Sequence, residues 1–267
     1  MRRIFGYIAL AVIFFVLILV WTLKIDASLG YSEFVSGGAL FFIMFFLFLF
    51  NMRKRLPFLP LWPAHKWFLL HTVMGFLALF LYWLHAGNLW PKGLYVQILA
   101  SLFYLTTLSG IVGLIMEKIY PNLLTRIGHE CIYERIPHDI SKIRKKSEKL
   151  ILECTEKTGS DTLAKHYLET LGWFFQRPRF FINNIFGGRD SHNWINQQCA
   201  ILERFLNEAE REYMKQIFTL AEIKIKIDHH YSLQTMLKSW LLVHIPLAAA
   251  AMVMAVWHLI VIQVFFN

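Results

Sequence analysis

HTVMGFLALFLYWLH (residues 71–85) and HIPLAAAAMVMAVWH (residues 244–258) are two apolar stretches that each begin and end with a histidine. A helix rises about 1.5 Å per residue, so the fourteen-residue interval separates the two imidazoles of a stretch by about 21 Å along the axis. A rotation of about 100° per residue returns them to within about 40° of one face. Each stretch therefore predicts a helix with two imidazoles on one side, at two depths.

The composition indicates an integral membrane protein. Of the 267 residues, 57% are hydrophobic and 24 are phenylalanine. A helix needs about 20 apolar residues to cross the hydrocarbon core of a bilayer. Stretches of that kind lie near 4–23, 34–51, 67–87, 94–116 and 239–265. We therefore expect an all-α fold, a polytopic membrane helix bundle of about five transmembrane helices with a helical cytoplasmic insertion.

The distribution of basic residues predicts the orientation. The loop after the second stretch holds Arg53, Lys54, Arg55 and Lys66. The loops 24–33 and 88–93 contain only one lysine each. Because loops rich in lysine and arginine stay in the cytoplasm, we expect a cytoplasmic N-terminus and an external C-terminus, in a bacterial inner membrane. The net charge of +9 then reflects membrane orientation, and we expect no nucleic-acid partner.

Three segments follow from this topology. Residues 1–116 hold four transmembrane helices, 117–238 form the cytoplasmic insertion, and 239–267 contain the fifth helix, which completes the bundle. The first apolar stretch has a long core and no convincing cleavage site, so we expect an uncleaved helix and not a signal peptide.

The topology also predicts how the histidines pair. The third and fifth helices both run outward and are parallel, so His71 should face His244 and His85 should face His258. Two such pairs can clamp two haem irons, each from both sides. A single membrane histidine more often hydrogen-bonds a neighbouring helix. Because ionisable groups in hydrocarbon are rare, the repeated interval favours metal ligation for all four.

Small residues are in register with the histidines. Gly75 and Ala248 each lie four positions after the first histidine of their stretch. Ala78 and Ala251 lie seven positions from both histidines of theirs. Small side chains let a flat macrocycle approach the helix, so we expect these residues at the cofactor. Ordinary close packing of membrane helices is the alternative.

The four histidines resemble those of the di-haem membrane cytochromes b. The pattern is similar to the transmembrane domain of ferric reductases and NADPH oxidases, and to cytochrome b of quinol-oxidising complexes. The resemblance covers 34–116 and 239–265, and it implies two bis-histidine b-type haems held without covalent attachment. Unlike the ferric reductases and NADPH oxidases, this chain shows no dinucleotide-binding glycine pattern. We therefore expect the electron donor and acceptor to be separate molecules.

The sequence of the cytoplasmic insertion predicts a mostly helical structure. A helix should start near Pro137 and end at Gly159, and Ser160 should cap a second helix that ends near Phe175. Arg177–Arg179 and Gly187–Arg189 predict loops. A long amphipathic helix should follow from about Asn193, with a break near Asp228 before the final span. Together these elements predict a helical hairpin.

The cysteines do not point to a further redox centre. Cys131, Cys154 and Cys199 all lie in the insertion, at spacings that form neither a CxxCH nor a CxxC motif. We expect three reduced structural thiols.

Three functions remain open at this point. The leading hypothesis is a di-haem electron-transfer subunit of an oxidoreductase complex, linking a quinol pool or cytoplasmic donor to a c-type cytochrome, an iron–sulfur protein or a flavoprotein. Quinone is a further candidate ligand, and we expect no catalytic side chain. The alternatives are a non-redox membrane anchor and a transporter with a histidine relay. A relay would need other ionisable groups along its path. Apart from Glu33 at a boundary, the four inner spans contain no aspartate, glutamate, lysine or arginine between their ends.

Overall fold

A computed structural model of the chain describes residues 2–50, 63–128 and 131–266. The basic residues Arg53, Lys54 and Arg55 lie outside the described residues. Contacts divide the chain into two compact units. The membrane unit comprises Met1–Ile115 and Trp240–Asn267, and the second unit comprises Met116–Ser239. Each unit has an apolar core of its own.

The described residues form an all-helical structure, which confirms the predicted fold class. The helices are α1 (Arg2–Ala27), α2 (Ser32–Leu49), α3 (Ala64–Ala86), α4 (Leu94–Ile127), α5 (Ile136–Thr158), α6 (Thr162–His166), α7 (Gly172–Gln176), α8 (Phe181–Ile185), α9 (Asp190–Glu203) and α10 (Glu208–Phe266). A 3₁₀ turn, Tyr133–Arg135, precedes α5, and a π-helical turn, Tyr167–Leu171, joins α6 to α7.

Five of these helices are long and apolar enough to cross a membrane: α1, α2, α3, α4 and α10. They indicate an integral membrane protein, as predicted. In the membrane unit, α1, α2 and α3 pack on one another around Leu40, Leu81 and Phe103. Large apolar side chains such as Leu10 and Leu17 of α1 remain exposed. Exposed apolar helix faces of this extent suit contact with lipid and not with water.

The fourth helix continues beyond the predicted span, to Ile127, although it contains Pro121. Proline removes the backbone hydrogen bond to the carbonyl four residues earlier. That carbonyl belongs to Glu117, which is exposed, so a water molecule can donate to the carbonyl in place of the missing N–H. The helix therefore passes the proline without a break.

In the second unit, several sequence predictions are confirmed. The helix α5 ends at Thr158, and Gly159 caps it in the left-handed conformation with φ of 65°. Arg177–Arg179 and Gly187–Arg189 contain no helix.

The prediction that Ser160 caps the next helix was wrong by one residue, because Asp161 occupies the N-cap position. Five further helical segments form instead of a simple hairpin.

The predicted continuous helix from Asn193 is interrupted, and the predicted break near Asp228 is absent: both expectations were wrong. The helix α9 ends at Glu203, and α10 begins only at Glu208. Asn207 starts α10 through a reciprocal cap, because its Oδ1 accepts from the Glu210 N–H at 2.8 Å and its own N–H donates to the Glu210 carboxylate at 2.9 Å. From there α10 runs without interruption to Phe266.

A buried ion pair explains why α10 continues through Asp228. Lys224, one turn earlier, donates to the Asp228 carboxylate and also to the Arg177 carbonyl at 3.0 Å. The Arg179 N–H donates to the same carboxylate at 3.2 Å. Both charged side chains are fully buried. Lys224 therefore compensates the charge of the Asp228 carboxylate, which would otherwise disfavour burial of this part of the helix.

Removing one member of this pair should destabilise the protein strongly. Lys224→Met leaves the Asp228 carboxylate buried without its cation, and we expect the free energy of unfolding to fall by about 3–5 kcal/mol. Lys226→Met is the control, because Lys226 is exposed on the same helix and should change stability by less than about 0.5 kcal/mol. Unfolding of the purified protein in detergent measures both. Equal effects of the two variants would contradict a stabilising role for the pair.

Candidate functional site

The second histidines of α3 and α10, His85 and His258, lie side by side in the membrane unit. Their ring centroids are 6.5 Å apart, and the ring planes are inclined at 78°. Tyr95 of α4 stacks on His258, with centroids 6.0 Å apart. We call His85 and His258 the second pair.

The first histidines, His71 and His244, line a shared cavity and form the first pair. The cavity has a volume of about 160 Å³. All four small residues singled out in the sequence line it as well: Gly75, Ala78, Ala248 and Ala251. Aromatic side chains, among them Phe68, Phe103 and Trp240, complete the wall. The structure thus brings six of the eight sequence-predicted site residues around one apolar cavity.

The two pairs show that α3 and the last part of α10 are parallel within the membrane unit. The first histidine of α3 shares the cavity with the first histidine of α10, and the second histidines are in contact. Antiparallel helices would instead have brought the first histidine of one to the second of the other. The pairs lie fourteen residues apart on each helix, which corresponds to about 21 Å.

The helix α2 positions His85 of the second pair. The Ser36 hydroxyl lies 3.2 Å from Nδ1 of His85, within hydrogen-bond distance. Gly37 lies directly against the imidazole, because a Cβ at this position would be only 2.7 Å from Cε1 of His85. Ser36 is itself buried. A serine and a glycine next to each other thus fix both the orientation and the depth of the ring.

The helix α4 positions His244 of the first pair in the same way. The Ser109 hydroxyl lies 3.2 Å from Nδ1 of His244. A Cβ on Gly110 would approach Cε1 of this ring to 3.6 Å. A Ser-Gly dipeptide therefore contacts one imidazole in each pair.

Trp240 reinforces this arrangement. It stacks on His244 with centroids 5.2 Å apart, and its Nε1–H donates to the Ser109 carbonyl at 2.8 Å. The indole packs so closely on Gly113 that a Cβ there would be 1.9 Å from the ring. Only glycine lets α4 and α10 approach to this distance.

The partners His71 and His258 lack such a serine. Their Nδ1 atoms are buried without a hydrogen-bond partner among the described residues. Phe50 packs on His71, with centroids 4.7 Å apart.

This donor set restricts the chemistry of the site. Neutral imidazole is a good ligand for iron, copper and zinc, but a bare metal ion usually needs three or four protein ligands. Among the described residues, no three histidine, cysteine, aspartate or glutamate side chains are grouped to hold a metal. Two imidazoles per site suit a metal whose remaining ligands come from a planar macrocycle.

The cysteines are free thiols that belong to the second unit. Burial raises the pKa of Cys131 and of Cys199 to about 11, and acidic neighbours add to the shift. Burial also raises the pKa of Cys154. All three thiols therefore stay protonated near neutral pH, which makes them poor nucleophiles and poor metal ligands.

Sequence reasoning missed the positioning residues Ser36, Gly37, Ser109, Gly110 and Gly113. One signal was available, since the dipeptide Ser-Gly occurs in both α2 and α4. Nothing in one sequence, however, shows that these dipeptides contact histidines 49 and 135 positions away.

Comparisons of this chain with models of protein families, with curated proteins and with solved structures found no match.

Proposed function

We propose that the chain is the di-haem b-type cytochrome subunit of a membrane oxidoreductase complex, and that it carries electrons across the bilayer. One observation supports this most directly: parallel helices hold two pairs of imidazoles at two levels. Bound haem would supply one-electron chemistry by cycling between two iron oxidation states.

The close approach of the second pair supports the proposal. The ring centroids of His85 and His258 are 6.5 Å apart. These two imidazoles would hold one haem iron between α3 and α10, and His71 and His244 would hold the other.

The residues of the chain would have distinct roles. Ser36 and Ser109 lie within hydrogen-bond distance of Nδ1 of His85 and His244 and would orient these rings, as polar neighbours commonly orient metal-bound histidines. Gly75, Ala78, Ala248 and Ala251 leave room for the macrocycle beside the first pair. The apolar wall excludes water and tunes the reduction potential through burial.

The two sites would span most of the bilayer. Their separation of about 21 Å compares with a hydrocarbon core about 30 Å thick. With the N-terminus and residues 117–238 in the cytoplasm, the first pair lies on the cytoplasmic side and the second on the outer side. Electrons would enter from a quinol pool or a cytoplasmic donor and leave to a separate redox protein, or flow in reverse.

The non-redox alternatives are less well supported. A purely structural histidine should hydrogen-bond a neighbouring helix, and the buried Nδ1 atoms of His71 and His258 have no such partner among the described residues. A buried imidazole without a partner is costly. A metal that bound these Nδ1 atoms directly would offset this cost, which supports a cofactor site.

Absorption spectroscopy tests the proposal. The full chain is purified in mild detergent, its oxidised and dithionite-reduced spectra are recorded, and haem is counted as pyridine haemochrome. We expect two low-spin b haems per chain. A folded but colourless protein, even after reconstitution with haemin, would refute the proposal and leave the anchor or transporter.

The contacts of Ser36 with His85 and of Ser109 with His244 allow a prediction for each haem separately. Ser36→Ala should shift the midpoint potential of the haem at the second pair, and Ser109→Ala that of the haem at the first pair. Loss of an outer-shell hydrogen bond weakens cofactor binding by about 10- to 100-fold. Redox titration and low-temperature electron paramagnetic resonance resolve the two haems. Ser101→Ala is the control, since the Ser101 hydroxyl donates to the Gln97 carbonyl of its own helix, α4. A shift of both haems by one serine variant would contradict the assignment.

A further inference from the structure

One segment of the second unit exposes large apolar side chains between arginines. We call residues 177–189, RPRFFINNIFGGR, the arginine-flanked segment; it contains three arginines and no acidic residue. Ile182 is 73% exposed and Phe186 is 84% exposed. They lie four positions apart, so they share one side of the short helix α8 and its end. Exposed apolar groups concentrated in this way mark a surface that contacts something other than water.

The segment contacts α4 shortly after the apolar stretch of that helix. Gly187 packs against α4, since a Cβ there would lie 3.9 Å from Cδ2 of Leu123. Glu117 and Lys118 are the first charged residues after the apolar stretch of α4. Leu123 follows Lys118 by five residues, or about 8 Å along the helix.

The segment also contacts α10, shortly before the apolar stretch of that helix. The ring of Phe181 lies 6.4 Å from that of Tyr231. Tyr231 precedes Lys238, the last charged residue before the apolar stretch of α10, by seven residues. This interval corresponds to about 11 Å. The contacted residues Leu123 and Tyr231 therefore lie about 8 Å and 11 Å along their helices from the charged residues next to the apolar stretches.

We propose that the arginine-flanked segment docks on the headgroup region of the bilayer that α4 and α10 enter. Ile182 and Phe186 insert at the boundary between headgroups and acyl chains, and the exposed Arg177 and Arg189 contact phosphates of anionic lipids. The headgroup layer is about 5–8 Å thick on each side, and interfacial helices bury their apolar face by about 5–10 Å. The contacts with α4 and α10, the exposed apolar side chains and the positive charge of the segment all fit a surface of lipid headgroups. This proposal does not depend on haem binding.

Photo-crosslinking of the full chain tests this docking. The photoreactive amino acid p-benzoyl-phenylalanine replaces Phe186 in one variant and Phe205 in the other, in nanodiscs of phosphatidylglycerol and phosphatidylcholine. Phe205 is a matched control because it is also a phenylalanine and is 71% exposed. It precedes α10, whose 31 residues from Glu208 to Lys238 extend for about 45 Å. Mass spectrometry then identifies the adducts.

We expect the lipid-adduct yield at position 186 to be at least about fivefold that at position 205. Arg177→Gln with Arg189→Gln should then lower the share of phosphatidylglycerol among the adducts at least about twofold. Equal yields at the two positions, or adducts at position 186 mainly to protein, would overturn the proposal. An unchanged phosphatidylglycerol share in the arginine variant would overturn the role of the two arginines.

Discussion

Replacing His71 or His244 with alanine is expected to leave one b-type haem per chain instead of two. Both imidazoles line the same cavity, and under the proposed function they bind one iron from opposite sides. Loss of either ligand removes this haem or converts it to a high-spin form. The haem between His85 and His258 should stay low-spin. Pyridine haemochrome analysis and electron paramagnetic resonance measure the number and spin state of the haems.

Combined variants show which histidines act together. The double variant His71→Ala with His244→Ala should resemble either single variant, because both changes affect one haem. His71→Ala with His258→Ala should lose both haems. His65→Ala is the control and should retain two, since His65 is exposed at the start of α3. The pairing would be wrong if His71→Ala and His244→Ala affected different haems.

Gly37→Ala is expected to disrupt the second pair, although it adds only one methyl group. The new Cβ would lie 2.7 Å from Cε1 and 3.1 Å from Nδ1 of His85. The imidazole must therefore move away from α2, which breaks its contact with Ser36. We expect the free energy of unfolding to fall by about 1–3 kcal/mol, as in other overpacked sites. Under the proposed function, the haem at His85 and His258 also loses its low-spin signal.

The neighbouring residue provides a matched control for this substitution. A Cβ on Gly38 would have no heavy atom within 4 Å. Alanine also favours a helix over glycine by up to about 1 kcal/mol, so Gly38→Ala should be neutral or stabilising. Thermal unfolding in detergent and haem spectra compare the two variants. Similar results for Gly37→Ala and Gly38→Ala would show that contact with His85 does not limit the size of residue 37.

Much of the architecture could be predicted, because membrane helices and helix ends have local signals. Apolar stretches of sufficient length predicted the five spans. Gly159 predicted the end of α5, since glycine adopts the left-handed conformation without strain. The start of α10 was missed although Asn207 and Glu210 form a recognisable capping pair. The break expected near Asp228 was wrong, because its compensating cation, Lys224, is recognised only once burial is known.

Hydrophobicity and spacing along one helix are local properties, so the amino-acid order was enough to predict an all-helical membrane protein and the two helices with paired histidines. The residues that surround these histidines are known only from how the helices pack. Ser36 and Ser109 reach His85 and His244 from other helices, and Gly37 and Gly113 permit the close approach. Such contacts depend on how helices rotate and pack against one another, and no periodicity within a single helix specifies this.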